Sequence, residues 1–203
     1  MQRKHHNVQQ NSDEWYELRL GRFTASTFGD LFMGKKTKGY RDAVYSVAAE
    51  RLTGKTPSDR YYGGYMERGH ALEPFARAQY EFDTFNEILD GGFWTLDEFF
   101  GASPDGLIGD DGLYEGKAPK FTTTIDYILS GELPKEYFWQ VHGQMHVCDK
   151  NWCVFDPYHP DLPHVRLTIH RDEKIEADLI KELSLAREKA EEICEQLQRI
   201  RNA

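Results

Sequence analysis

Ser103-Pro104-Asp105-Gly106-Leu107-Ile108, then Gly109-Asp110-Asp111-Gly112, then Leu113-Tyr114-Glu115-Gly116-Lys117, reads as two short apolar segments joined by a turn. Strand side chains alternate between faces, so Glu115 and Lys117 project from the same face of the second segment. The Asp111-Gly112 pair favours a turn that folds this segment back beside the first. Asp105 then comes near Glu115, with an ammonium beside both. Two carboxylates and a lysine facing a cleft suit a divalent cation with an electrostatic or proton-handling helper. That is the local chemistry of magnesium-dependent phosphodiester cleavage. The plainer alternative is a solvated hairpin in which the aspartate only forms the turn.

Working outward, 203 residues predict one compact unit with a real core, and 39% hydrophobic content supports a globular chain. No apolar run has the length of a membrane span. The basic start, Met1 to His6, has no apolar region behind it and reads as a flexible tail over residues 1–12 rather than a signal peptide. Cys148, Cys153 and Cys194 are odd in number and contain no CxxC pair, which predicts a reduced, cytoplasmic protein. A net charge of −9 argues against coating of nucleic acid by general basicity. It leaves room for a nuclease, whose metal-holding acids lower the total.

The pattern predicts helices over 13–20, capped by Ser12 or Asp13, over 25–33 behind Thr24, over 40–53, and over 66–82, with Pro74 opening the regular part. In the Gly/Tyr-rich stretch at 61–65, Tyr61 and Tyr62 fit packing of a loop or, alternatively, stacking on bases. Strands follow near 92–100, 103–109 and 113–118, then a helix over 136–148 and strands near 152–157 and 164–170. A charged helix over 172–203 ends the chain. On it, Leu179, Leu183, Ala186, Ala190, Ile193, Leu197 and Ile200 form a heptad-like stripe, which fits packing on its own domain or a contact with another subunit. The order predicts an α+β, or mixed α/β, fold with one central mixed sheet flanked by helices.

Other polar groups gather around the hairpin in sequence. Glu73 stands on the preceding helix. Gln140 and Gln144, four apart, share a face of the following one. His142 and His146 have the spacing of a zinc pair but lack HExxH, a third ligand and a cysteine partner. Lys35, Lys36 and Lys38 make a basic loop that could meet a DNA backbone.

The stretch Trp15-Tyr16-Glu17-Leu18-Arg19-Leu20-Gly21-Arg22-Phe23-Thr24-Ala25-Ser26 resembles the opening motif of the phage lambda exonuclease family, the YqaJ-like viral recombinases. The likeness continues through Gly69-His70-Ala71-Leu72-Glu73, Ser103-Pro104-Asp105-Gly106, Glu115-Gly116-Lys117 and Gln140-Val141. Each motif alone is weak, and the ordered set is strong. The Glu-x-Lys element also resembles the wider PD-(D/E)XK nucleases, whose restriction-endonuclease-like core is then the expected fold. Past about residue 150 no motif matches.

This resemblance implies a Mg2+-dependent exonuclease that digests linear double-stranded DNA from 5′ ends, releasing mononucleotides and leaving a 3′ single strand. It implies a ring-shaped homotrimer, a single-strand annealing protein as partner, and a phage or prophage gene acting in the cytoplasm of a bacterial host. Glu73, Asp105, Glu115 and the Gly116 carbonyl would hold two Mg2+ ions, with Mn2+ as a substitute. Lys117 would orient or deprotonate the attacking water, or offset transition-state charge. Gln140 would hold that water or the lysine, with Gln144 as the alternative. Arg19, Ser26 and Ser103 match the family positions of a 5′-phosphate pocket. An endonuclease with the same metal residues, and a catalytically idle DNA-binding module, are the competing readings.

Overall fold

The computed structural model describes residues 3–56 and 65–203. The hairpin forms where the alternation puts it. Strand β6 (Gly106–Ile108) pairs antiparallel with β7 (Gly112–Lys117), Gly106 lying opposite Tyr114. The turn lies within the expected Gly109–Gly112 stretch, through residues 109–111, but it centres before the Asp111-Gly112 pair, with Gly109 left-handed at φ +55°. Gly112 already belongs to β7, and its reason is packing: a Cβ there would meet the Trp152 ring at 2.3 Å.

β7 is the middle strand of a mixed five-stranded sheet ordered β3-β6-β7-β8-β9. Here β3 is Ile88–Asp90, β8 is Trp152–Pro157 and β9 is Leu167–His170. Only the β7–β8 pairing is parallel. The expectation of one sheet fails, because a second sheet runs β1-β4-β5-β2, from Lys4–His6, Phe93–Thr95, Phe100–Ala102 and Phe23–Thr24. The cause is local. Asp97 Oδ1 accepts the amides of Phe99 (2.7 Å) and Phe100 (3.0 Å), reversing the chain inside what read as one strand over 92–100.

The N-terminal stretch is likewise not a tail. Lys4–His6 pairs with β4, the His5 ring stacks on Trp94 at 4.3 Å, and Val8 is buried. The basic composition of the segment hides these contacts.

Helix α1 (Asp13–Arg19) is capped by Ser12, whose Oγ accepts the Trp15 amide at 3.2 Å. The helix expected over 25–33 is instead a 3₁₀ turn, Ala25–Thr27, followed by the short α2 (Phe28–Leu31). Thr24 does not cap it, since its Oγ1 is engaged by Arg19 and Ser26. Helix α3 (Lys38–Thr53) starts at Thr37 and stops at left-handed Gly54. Helix α4 (Tyr65–Thr84) carries Pro74 in its interior rather than at its start. The loop expected around Tyr61 and Tyr62 lies outside the described residues.

Helix α5 (Phe121–Ser130) was not evident in the sequence pattern; α6 (Lys135–Cys148) and α7 (Glu173–Asn202) were. Leu113 and Phe155, on one face of the five-stranded sheet, share a core with Val141 and Met145 of α6 and Leu179 and Leu183 of α7. Tyr114, Ile108 and Val154, on the other face, pack on Tyr80 of α4. Phe155 has no exposed surface, so its truncation to Ala would cost about 3–5 kcal/mol. The α7 stripe is intramolecular as far as Ala190 and Ile193, whereas Leu197 (47% exposed) and Ile200 (72%) leave the core. Among the described residues no helix is long and apolar enough to cross a membrane.

Candidate active site

The pleat of β7 decides which groups meet. Leu113, Glu115 and Lys117 point to the α6 side, and Tyr114 points away. Continuing the pairing register by one residue sets Asp105 opposite Glu115. The Gly116 amide donates to Asp105 Oδ2 at 2.9 Å and locks that position.

Glu115 is 1% exposed, a burial that a carboxylate tolerates only with partners. Its Oε1 accepts from Lys117 Nζ and from Gln140 Nε2, and its Oε2 accepts from Gln144 Nε2 at 2.7 Å. Both glutamines reach it because α6 lies close against α2: a Cβ on Gly143 would meet the Phe28 ring at 2.4 Å. The Lys117 ammonium also sits 5.4 Å from the centre of the Tyr137 ring.

Charge is concentrated here against the cost of burial. Glu115 is pushed up to about 7, chiefly by burial and then by the charge of Asp105, with Lys117 and Gln144 opposing. Burial also raises Asp105, and Glu73 of α4 is near enough to raise it further. Burial works against the Lys117 ammonium, but Glu115 and Asp105 outweigh it and hold its pKa above the ordinary lysine value. Carboxylates forced together in this way form a site that a cation relieves.

The available donors are all oxygens, from Glu73, Asp105, Glu115 and the Gly116 carbonyl, and they fit a hard divalent cation such as Mg2+. Among the described residues no group of three or more His, Cys, Asp or Glu side chains is already gathered for an ion. Lys117 and the two glutamines occupy the Glu115 oxygens instead. The histidine pair gives no zinc site: His142 is buried against Phe138, and His146 Nδ1 is engaged by Glu176 at 2.7 Å.

The second set of predicted residues shares the same cavity. A pocket of about 170 Å³ is lined by Arg19, Ser26 and Ser103 together with Asp105, Glu115, Lys117, Gln140 and Gln144. The Arg19 guanidinium lies 4.2 Å over the Trp15 ring and donates to Thr24 Oγ1 at 3.2 Å. Ser103 Oγ accepts from Trp15 Nε1 at 2.9 Å and donates to the Gly92 carbonyl. Ser26 is exposed, with its Oγ 3.2 Å from Thr24 Oγ1. The expected helix N-terminus at Ser26 is only a 3₁₀ turn, so hydroxyls and the guanidinium, not a helix dipole, define this end.

Lys35, Lys36 and Lys38 are exposed beyond α2 and are not part of the pocket wall; Lys38 is 4.0 Å from Asp42. Two contributors escaped sequence reasoning. Trp15 supports both Arg19 and Ser103, and its i,i+4 spacing to Arg19 on α1 is a usable signal. Gln10 donates to the Pro104 carbonyl beside Asp105, from a stretch whose composition gave no sign of it.

The YqaJ-like viral recombinase domain model matches residues 14–151, a span that contains every wall of this pocket. The chain belongs to the YqaJ-like viral recombinase family. One solved structure similar to this chain is that of an alkaline exonuclease, LHK-Exo, from Laribacter hongkongensis. It is 34% identical, over 94% of this chain and 98% of that chain, with a TM-score of 0.85. The same enzyme in complex with dAMP superposes with a TM-score of 0.86 at the same identity and coverage. A phage related exonuclease from Haemophilus somnus 129PT shares the fold at 14% identity, over 87% of this chain and 96% of that chain, with a TM-score of 0.66. No curated protein matches the chain. The family fold is mixed α/β, with central sheets flanked by helices around a restriction-endonuclease-like PD-(D/E)XK core.

Proposed function

We propose that this chain is a Mg2+-dependent exonuclease that degrades linear double-stranded DNA from 5′-phosphorylated ends. It releases mononucleotides and leaves a 3′ single strand for recombination by single-strand annealing. The observation that carries this reading is the shared pocket: a cationic, hydroxyl-bearing end at Arg19, Ser26 and Ser103 adjoins the buried Asp105, Glu115 and Lys117. A terminal phosphate held at the first end sets the next phosphodiester against the second. The dAMP complex of LHK-Exo, a mononucleotide on an exonuclease of the same family, agrees with this.

Glu73, Asp105, Glu115 and the Gly116 carbonyl are the residues to hold two Mg2+ ions, or Mn2+ in their place. Held by these residues, such ions would supply activation of the attacking water and charge neutralisation at the phosphate. Arg19 pairs with the terminal phosphate through charge-assisted hydrogen bonds, and the serine hydroxyls complete its shell. Lys117, once its bond to Glu115 is released, would supply a cation to the reacting phosphate or to the attacking water. Gln140, half-buried and donating to the same Glu115 oxygen as Lys117, is placed to steady the lysine. Burial of Glu115 among amide donors excludes bulk water and keeps these interactions strong.

The same reading includes a homotrimeric ring around the duplex, an annealing partner, and action in the cytoplasm of a bacterial host from a phage or prophage gene. Exposed lysines at 35, 36 and 38 are then backbone contacts. Product analysis tests the reading: a 5′-phosphorylated duplex in Mg2+ yields 5′-mononucleotides and a resected 3′ strand. Oligonucleotide products cut from internal sites would favour an endonuclease.

A further inference from the structure

We propose that Gln144 is a further catalytic residue, the one that orients the attacking water; this rests on the hydrolytic reading above. Gln144 is 1% exposed, and its Nε2 donates to Glu115 Oε2 at 2.7 Å. With Nε2 donating to Glu115, the other end of the amide, Oε1, turns away from the carboxyl. Among the described residues that oxygen is buried without a hydrogen-bond partner, although Gln144 lines the pocket. An unpaired buried acceptor is costly and calls for a donor.

The chemistry of the pocket selects that donor. Arg19, Ser26, Ser103 and Lys117 offer hydrogens and suit phosphate oxygens. Gln144 Oε1 offers only lone pairs, so it rejects a phosphate oxygen. The Lys117 ammonium is directed to Glu115 Oε1, the opposite oxygen from the one Gln144 holds. Water is the reactant that carries hydrogens. One of its hydrogens rests on Gln144 Oε1 while a water lone pair forms the new P–O bond and the P–O3′ bond breaks. The other hydrogen leaves as a proton to solvent, from which the departing 3′ oxygen is protonated; the carboxamide itself takes no proton.

Gln144→Met removes both amide functions at similar volume. The test compares it with the wild-type protein by thermal unfolding, by calorimetric titration with Mn2+, and by kcat and KM on 5′-phosphorylated duplex. The expected result is a folded variant that binds Mn2+ within about threefold of wild type, with unchanged KM and kcat lower by roughly 100-fold. A kcat within about threefold of wild type overturns the proposal. So does a kcat loss matched by an equal loss of Mn2+ affinity, since Gln144 would then act only by holding Glu115. Should Gln144→Met not fold, Gln144→Asn, which withdraws the amide by one methylene, carries the same expectations. A wild-type protein that neither binds Mn2+ nor cleaves DNA would instead sink the hydrolytic reading itself.

Discussion

The Gly116 amide donates to Asp105 Oδ2 at 2.9 Å, tying the carboxylate that precedes β6 to the backbone of β7 between Glu115 and Lys117. One bond thus sets the spacing of all three charged groups. It also holds Asp105 where burial and Glu73 raise its pKa, so its charge destabilises the metal-free fold at neutral pH. Asp105→Asn keeps an acceptor for Gly116 and removes the charge. Cleavage should fall at least ~1,000-fold, while the melting temperature in EDTA rises by roughly 2–4 °C. A lower melting temperature would show that the Asp105 charge supports the fold.

Lys117 bonds to Glu115 and lies over Tyr137, so its position is fixed from two sides. Lys117→Ala should lose ~1,000-fold or more in kcat and keep its affinity for duplex DNA in a gel-shift assay. Lys117→Arg should not rescue activity, because a planar fork cannot replace a compact ammonium in so small a cavity. Retained turnover in the alanine variant would remove the lysine from the mechanism.

Arg19 is held by Trp15 and Thr24 in the wall of the same pocket. Arg19→Ala should lower kcat/KM on 5′-phosphorylated ends by roughly 10–100-fold, the worth of a charged hydrogen-bonded pair. Rates on 5′-hydroxyl ends should stay nearly constant. Equal losses on both ends would contradict the phosphate assignment.

Much of this site was legible because it depends on short periodicities. The alternation of β7 put Glu115 and Lys117 together, and the spacing of Gln140 and Gln144 put both amides on one face. What was illegible depends on contacts distant in sequence. The β1 strand exists through Trp94 and β4, and the split of 92–100 depends on one carboxylate, Asp97 Oδ1. Pro74 misled because its place in α4 is tolerated by the fold rather than chosen by propensity. The partition of Gln140 and Gln144 into half-buried and buried amides needed the close approach of Gly143 to Phe28.

Away from the pocket, Glu176 of α7 bonds to Arg171 and to His146 of α6, and Arg171 foremost pulls its carboxyl down to about 2 from an ordinary 4.5. A depressed carboxylate pKa gives stability that is present above the unfolded value and lost as pH falls toward the folded one. Glu176→Gln should therefore lower the melting temperature at pH 7, and the gap to wild type should close between about pH 4.5 and 2. A gap independent of pH would mean the carboxylate charge contributes nothing to the α6–α7 contact.

The most direct test of the central claim is digestion of a linear duplex with one 5′-phosphorylated end and one blocked end, in Mg2+, beside a closed circle and an EDTA control. The expected result is loss of the phosphorylated strand from its 5′ end alone, an intact circle, and no reaction in EDTA. Cutting of the circle, or equal loss from both ends, would contradict it.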